Sequence, residues 1–104
     1  MAYQVIIGRI AQRDLVKIRD YIARKNPEAA RSFTEKLVEE AKSLKIFPNR
    51  GGHLEGRPGV RFTVVKHYLI IYRVVEVKSE VRVLSFWHAA RERRHLRVDY
   101  KISG

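Results

Sequence analysis

The hydrophobic rhythm of this chain changes once, at Phe47-Pro48-Asn49-Arg50-Gly51-Gly52, and that change limits the fold more than any other feature. Before it, apolar residues return every three or four positions, the period of a helix. After it come β-branched and aromatic runs of strand length. The stretch from Phe47 to Gly59 holds four of the six glycines and two of the three prolines, so it reads as a loop. A chain built this way is helical first and sheet-forming second.

Within the first half, Leu15, Ile18 and Ile22 predict a helix from about Ala11 to Lys25. Asn26-Pro27 is a strong boundary: Asn26 suits an N-cap, Pro27 the first helical position, and Glu28 the helix's positive end. The second helix is predicted to run to about Leu44, with Ala30, Phe33, Leu37, Ala41 and Leu44 on one face. Two amphipathic helices with so short a connection should form a helical hairpin.

Tyr3 to Ile7 reads as an opening strand. Val60–Lys66, His67–Val77 and Val81–Trp87 follow as three more, and Leu69-Ile70-Ile71 suggests burial on both faces of the middle one. A turn is placed at Lys66-His67 and another at Val77-Lys78-Ser79-Glu80. Ala89–Leu96 favours a short C-terminal helix. The expectation is an α+β fold: N-terminal strand, helical hairpin, three-stranded antiparallel β-meander and short C-terminal helix. The hairpin would cover one face of the sheet and leave the opposite face to a partner. With 104 residues and no Ser/Pro/Gly linker, residues 1–104 are expected to form one domain.

Lys and Arg number 22 against 11 Asp and Glu, a formal charge of +11. Residues 1–50 carry 11 basic and 6 acidic side chains, and residues 51–104 carry 11 and 5. The excess is therefore spread over the fold, and it exceeds the charge of about 2–8 that solubility asks of a small domain. Such a surface suits nucleic acid or an acidic protein. Neither helix has the mostly basic polar face of an interfacial anchor, so a membrane partner is not expected. No apolar run reaches membrane-span length and the N-terminus is too short for a signal peptide, so a cytoplasmic location is expected. There is no cysteine, which excludes disulfides and thiolate chemistry. His53, His67, His88 and His95 lack metal-ligand spacing, and Gly51-Gly52 lacks the lysine of a phosphate loop. No metal or other cofactor is expected.

Asn26-Pro27-Glu28-Ala29-Ala30, then Phe33 and Leu37, Phe47-Pro48 with Gly51, Gly59-Val60-Arg61, Tyr68-Leu69-Ile70-Ile71-Tyr72 and His88-Ala89-Ala90-Arg91 occur in succession. In this order and spacing the chain resembles the RelE/ParE superfamily, the toxins of type II toxin–antitoxin modules, over roughly Tyr3 to Arg94. The resemblance implies a toxin neutralised by an acidic antitoxin with a DNA-binding half, in a toxin–antitoxin hetero-oligomer. It also implies one of two targets. RelE-like members cut mRNA in the ribosomal A site, whereas ParE-like members inhibit DNA gyrase. Relatives with this His-x-x-Arg ending are often described as plasmid stabilisation proteins.

In the ribonuclease reading, the resemblance makes Arg61 the phosphate-stabilising residue and His88 an acid–base group. Arg91, three residues on, completes an anion site. The plain alternatives are a strand-end arginine on a solvated face and a histidine capping the sheet. Arg57, Arg93, Arg94 and Arg97 are candidate binding residues for nucleic acid or antitoxin. Two departures favour the ParE-like branch: Leu69 stands where RelE-like nucleases usually carry Arg, and Ala89-Ala90 where a Tyr is expected nearby. Tyr100 lies too far on for that role, and Glu55 reads as a surface ion-pair partner. By strand alternation, one of Phe86 and Trp87 should face the core.

Overall fold

Asn26 caps the start of the second of two helices. Its backbone is extended, and its side-chain oxygen accepts the Ala29 N–H at 3.1 Å, with Pro27 in the first helical turn. The computed structural model describes residues 3–91. It comprises β1 (Gln4–Ile7), α1 (Arg9–Ala23), α2 (Pro27–Lys42), β2 (Gly52–His53), β3 (Arg61–Val65), β4 (Tyr68–Val75) and β5 (Glu80–His88). Single 3₁₀ turns at Ser43–Lys45, Pro48–Arg50 and Glu76–Lys78 link them. The predicted helical hairpin is present.

The sheet has the order β1-β5-β4-β3-β2. It extends the expected three-stranded meander at both edges. β1 pairs in parallel with β5, Gln4 opposite Glu80, because the hairpin carries the chain over the sheet between them. The two-residue β2 lies antiparallel to β3, Gly52 opposite Phe62, inside a segment whose glycines read as loop. The predicted C-terminal helix falls mostly outside the described residues; Ala89 and Ala90 form a turn, closed by the Arg91 N–H on the His88 carbonyl at 3.0 Å.

Two apolar clusters sandwich β4. Under the hairpin, Ala11, Ile18, Leu37, Ala41 and Leu44 pack on Ile70, Tyr72, Val81, Val83 and Phe86. On the other face, Leu54 and Val60 pack on Leu69, Ile71, Leu84 and Trp87. The expected burial of β4 on both faces is thus found, but the cover on the second face comes from the loop between β2 and β3. That loop is closed by Leu54 N–H on Val60 O at 2.8 Å, and Gly56 and Gly59 turn it at φ +77°. The face left open in the sequence reading is therefore largely occupied by the chain itself.

A β-bulge decides which way the end of β5 faces. Ile71 pairs with Ser85 but Tyr72 with Val83, so Leu84 is the extra residue. Past the bulge the alternation is offset by one. Phe86 then points under the hairpin and Trp87 toward the loop, so both aromatics are core residues. His88, next in alternation after Phe86, comes to the hairpin face beside Tyr68, with ring centroids 4.9 Å apart.

Candidate functional site: the end of the last strand and its basic surroundings

Arg61 and His88 occupy different parts of the sheet. Arg61 pairs with Tyr72 on one side of β4, and His88 with Tyr68 on the other. Four residues along β4 and two interstrand spacings across it place their Cα atoms about 16 Å apart. Arg61 also has other employment: Nη1 donates to the Gly51 carbonyl at 2.8 Å and the Asn49 carbonyl at 3.2 Å. The structure places His88 and Arg91 on one cleft and Arg61 apart from them, at the Asn49 and Gly51 carbonyls.

The loop that Arg61 holds is also held from below. Tyr72, fully buried, donates its hydroxyl proton to Pro48 O at 2.8 Å and accepts the Gly51 N–H at 3.0 Å. A Cβ on Gly51 would lie 2.5 Å from that hydroxyl and 2.6 Å from the Phe62 carbonyl oxygen, so only glycine fits. Burial pushes the Tyr72 phenol above its usual value, against the Gly51 bond and the nearby Arg61 and Arg50, which pull it down.

His88 is half-buried at the rim of a cleft of about 510 Å³ that also involves Lys17, Tyr21, Arg24, Tyr68 and Arg91. Its Nδ1 accepts the Ala90 N–H at 3.1 Å, so the neutral ring carries its proton on Nε2. His67 stacks on it, ring centroids 6.4 Å apart, and Phe33 packs on Tyr68 at 5.5 Å. Burial raises the Tyr68 phenol too, with Tyr21 adding to the effect. The Arg91 guanidinium lies 4.1 Å from the centre of the Trp87 ring, whose Nε1 donates to the Arg91 carbonyl at 3.3 Å. Chemically the cleft offers an imidazole, several cations and, on its α1 wall, the carboxylates of Asp14 and Asp20. Among the described residues, no three His, Asp or Glu side chains gather to hold a metal ion.

Asp14 was not legible as a site residue. From α1 it reaches the stretch of β5 beyond β1, where Oδ2 accepts both the Ser85 hydroxyl at 2.7 Å and the Phe86 N–H at 3.0 Å. The helix thereby closes an open strand edge. No local signal marks this contact; the partners are 71 and 72 positions apart. Lys17 could have been noticed, since Arg9, Arg13 and Lys17 recur at helical spacing.

Of the remaining predicted residues, Arg57 is half-buried in the turn over the second face, its N–H on the Leu54 carbonyl at 3.1 Å. Glu55 is exposed on the same loop. Arg93, Arg94 and Arg97, with Tyr100, lie outside the described residues. No helix among those described is long and apolar enough to cross a membrane.

A helical hairpin on a five-stranded mixed sheet is the fold of the type II toxins of the RelE/ParE superfamily, and comparison with known proteins agrees. The family described as the ParE toxin of the type II toxin–antitoxin system parDE matches residues 5–93, and the chain belongs to it. The toxin RelE2 of Caulobacter vibrioides is 36% identical over 88 residues, covering 85% of this chain and 97% of that protein. Among solved structures, the chromosomal ParDE toxin–antitoxin system of P. aeruginosa superposes with a TM-score of 0.73 at 27% identity, covering 84% of this chain and 96% of the other. The RelBE2 toxin–antitoxin complex of Mycobacterium tuberculosis gives 0.63 at 25% identity, covering 85% and 99%.

Proposed function

We propose that this toxin arrests growth by a ParE-like action on DNA gyrase and is held inactive by a cognate acidic antitoxin in a cytoplasmic hetero-oligomer. One observation carries the choice of target. Metal-independent RNA cleavage needs a phosphate-stabilising cation and an acid–base group on the same phosphate, and here Arg61 and His88 stand on opposite sides of β4. Leu69, buried where the nuclease branch carries arginine, supports the same reading.

For the antitoxin, the hairpin is the favoured seat, since the loop covers much of the sheet's second face. Leu15, Val16 and Val38 line a cleft of about 610 Å³ between α1 and α2, rimmed by Arg19, Glu35 and Glu39. An amphipathic segment of the antitoxin would lie there on its apolar side, with its acidic groups directed to the α1 side of the rim, at Arg19, and away from Glu35 and Glu39. Complex affinity should therefore fall as salt rises.

The second reading, a ribosome-dependent mRNA endonuclease, draws on the RelE2 relative and on the His88–Arg91 pair. Inducing the protein in cells and following plasmid supercoiling beside mRNA 5′ ends separates the two. Loss of supercoiling with intact messages supports gyrase as the target; rapid site-specific message cuts with normal supercoiling overturn it. Normal growth on strong induction would point instead to a non-toxic basic nucleic-acid-binding module.

A further inference from the structure

Three clefts run end to end along one side of α1, where the helix meets the edge of β5. The first, about 250 Å³, is lined by Arg9, Arg82 and Ile10; the second, about 700 Å³, shares Ile10 and adds Arg13, Lys17 and Arg91. The third, beside His88, shares Lys17 and Arg91 and adds Arg24. Together they make one trench whose cations follow the helix. From Arg9 to Arg24 it spans about 22 Å, with Arg9, Arg13 and Lys17 one turn apart at about 6 Å.

Most of the charge in this trench is not used by the fold; the exceptions among the described residues are Arg91, over the Trp87 ring, and Arg82. Among the described residues, Arg9, Arg13, Lys17, Arg24 and Arg91 have no carboxylate within ion-pair distance; only Arg82 does, at 3.2 Å from Glu80. Asp14, in the middle, is taken up by Ser85 and Phe86, and Asp20 pairs with Arg19 at 3.5 Å. Arg9 even opens α1, whose first turn holds no acidic residue, although a cation there is disfavoured by the helix dipole. Stability does not account for this row of cations.

At the far end the trench meets aromatic rings. Tyr21 is 68% exposed, and Tyr68 and His88 stand in the same cleft. A row of cations at regular intervals leading to open rings matches a polymer with repeating phosphates and flat bases. An acidic peptide would use the cations but gain little from the rings. We propose that the trench binds a single-stranded nucleic acid, its phosphates along Arg9, Arg13 and Lys17 and a base against Tyr21. Repeating phosphates and a stacked base are common to DNA and RNA, so both are bound. The inference is independent of the proposed action on gyrase, because it concerns binding and not the toxic target.

The test is fluorescence anisotropy with labelled oligothymidylate and oligouridylate of about 12 nucleotides, within the range such grooves cover. Purified full-length protein is titrated from about 50 to about 200 mM salt. Both oligomers should bind, with a logarithmic salt slope near −2, three phosphates at about 0.7 each. Arg13→Glu/Lys17→Glu should weaken binding about tenfold or more and reduce the slope by about 1.4. Arg13→Ala/Lys17→Ala, which adds no repulsion, should give the same loss of slope. Lys36→Glu/Lys42→Glu, an equal charge change on exposed positions of α2, should leave binding nearly unchanged. Tyr21→Ala should weaken it without changing the slope. Equal weakening by the two glutamate pairs overturns the proposal, as it would show attraction to net charge alone. So does no binding of either oligomer, or tighter binding of a polyglutamate peptide.

Discussion

The Tyr72 hydroxyl and the Gly51 N–H meet at 3.0 Å inside the protein, joining the centre of the sheet to the loop that follows the helical hairpin. The same hydroxyl holds the Pro48 carbonyl at 2.8 Å, so one buried side chain anchors the point where helical sequence gives way to strand sequence. Removing it leaves two buried backbone groups without partners. Tyr72→Phe should therefore cost about 2–4 kcal/mol, and Gly51→Ala about 3 kcal/mol through the clash with that hydroxyl and the Phe62 carbonyl. Chemical denaturation of both variants checks this; wild-type stability for Gly51→Ala would refute the close approach.

Tyr72 also sets the response to alkali. Its phenol is raised in the folded protein by burial, so the folded state keeps a proton that the unfolded chain loses near pH 10.0. The folded state then binds more protons, and stability is full below about pH 10 and falls as pH rises through the folded value. Tyr68, raised by burial, and Tyr3, raised by its hydrogen bond to Glu76, act in the same direction. Unfolding titrations should show this alkaline loss, and Tyr72→Phe should show less of it.

Asp14 is expected to matter more for stability than its place on a helix surface suggests. Asp14→Ala removes the acceptor for Ser85 and for the Phe86 N–H at an open strand edge, a loss of about 1–3 kcal/mol. Asp14→Asn, which keeps one oxygen acceptor, should lose less. Thermal unfolding together with hydrogen exchange at Phe86 would reveal both effects, and unchanged exchange in Asp14→Ala would contradict the edge-capping role.

The N-cap admits a simpler check. Asn26→Ala should destabilise the protein by about 1 kcal/mol, and Asn26→Asp or Asn26→Ser should restore most of it. Equal stability of all four proteins would mean that the cap contributes nothing.

Arg61 and His88 should behave differently as mutants. Arg61→Ala frees the Asn49 and Gly51 carbonyls, so its expected effect is a stability loss of about 1–2 kcal/mol and faster proteolysis of the loop. Toxicity should follow stability. His88→Ala should leave the loop untouched. If either variant loses toxicity entirely while stability and antitoxin binding stay normal, the ribonuclease reading gains and the gyrase reading fails.

The features legible in the sequence were those set by neighbours along the chain. The periodicity of Leu15, Ile18 and Ile22, the Asn26-Pro27 cap and the β-branched run around Ile70 each depend on backbone preference or on side chains within a turn or two. They sufficed for the helical hairpin, the central strands and the superfamily. The candidate site was decided elsewhere. One extra residue at Leu84 turned Phe86 and His88 toward the hairpin, β4 separated His88 from Arg61, and two loop carbonyls drew Arg61 to themselves. Asp14 found its partners 71 and 72 positions away. Strand register and the satisfaction of buried polar groups are settled between distant segments, where local preference is nearly silent and packing and hydrogen bonding choose.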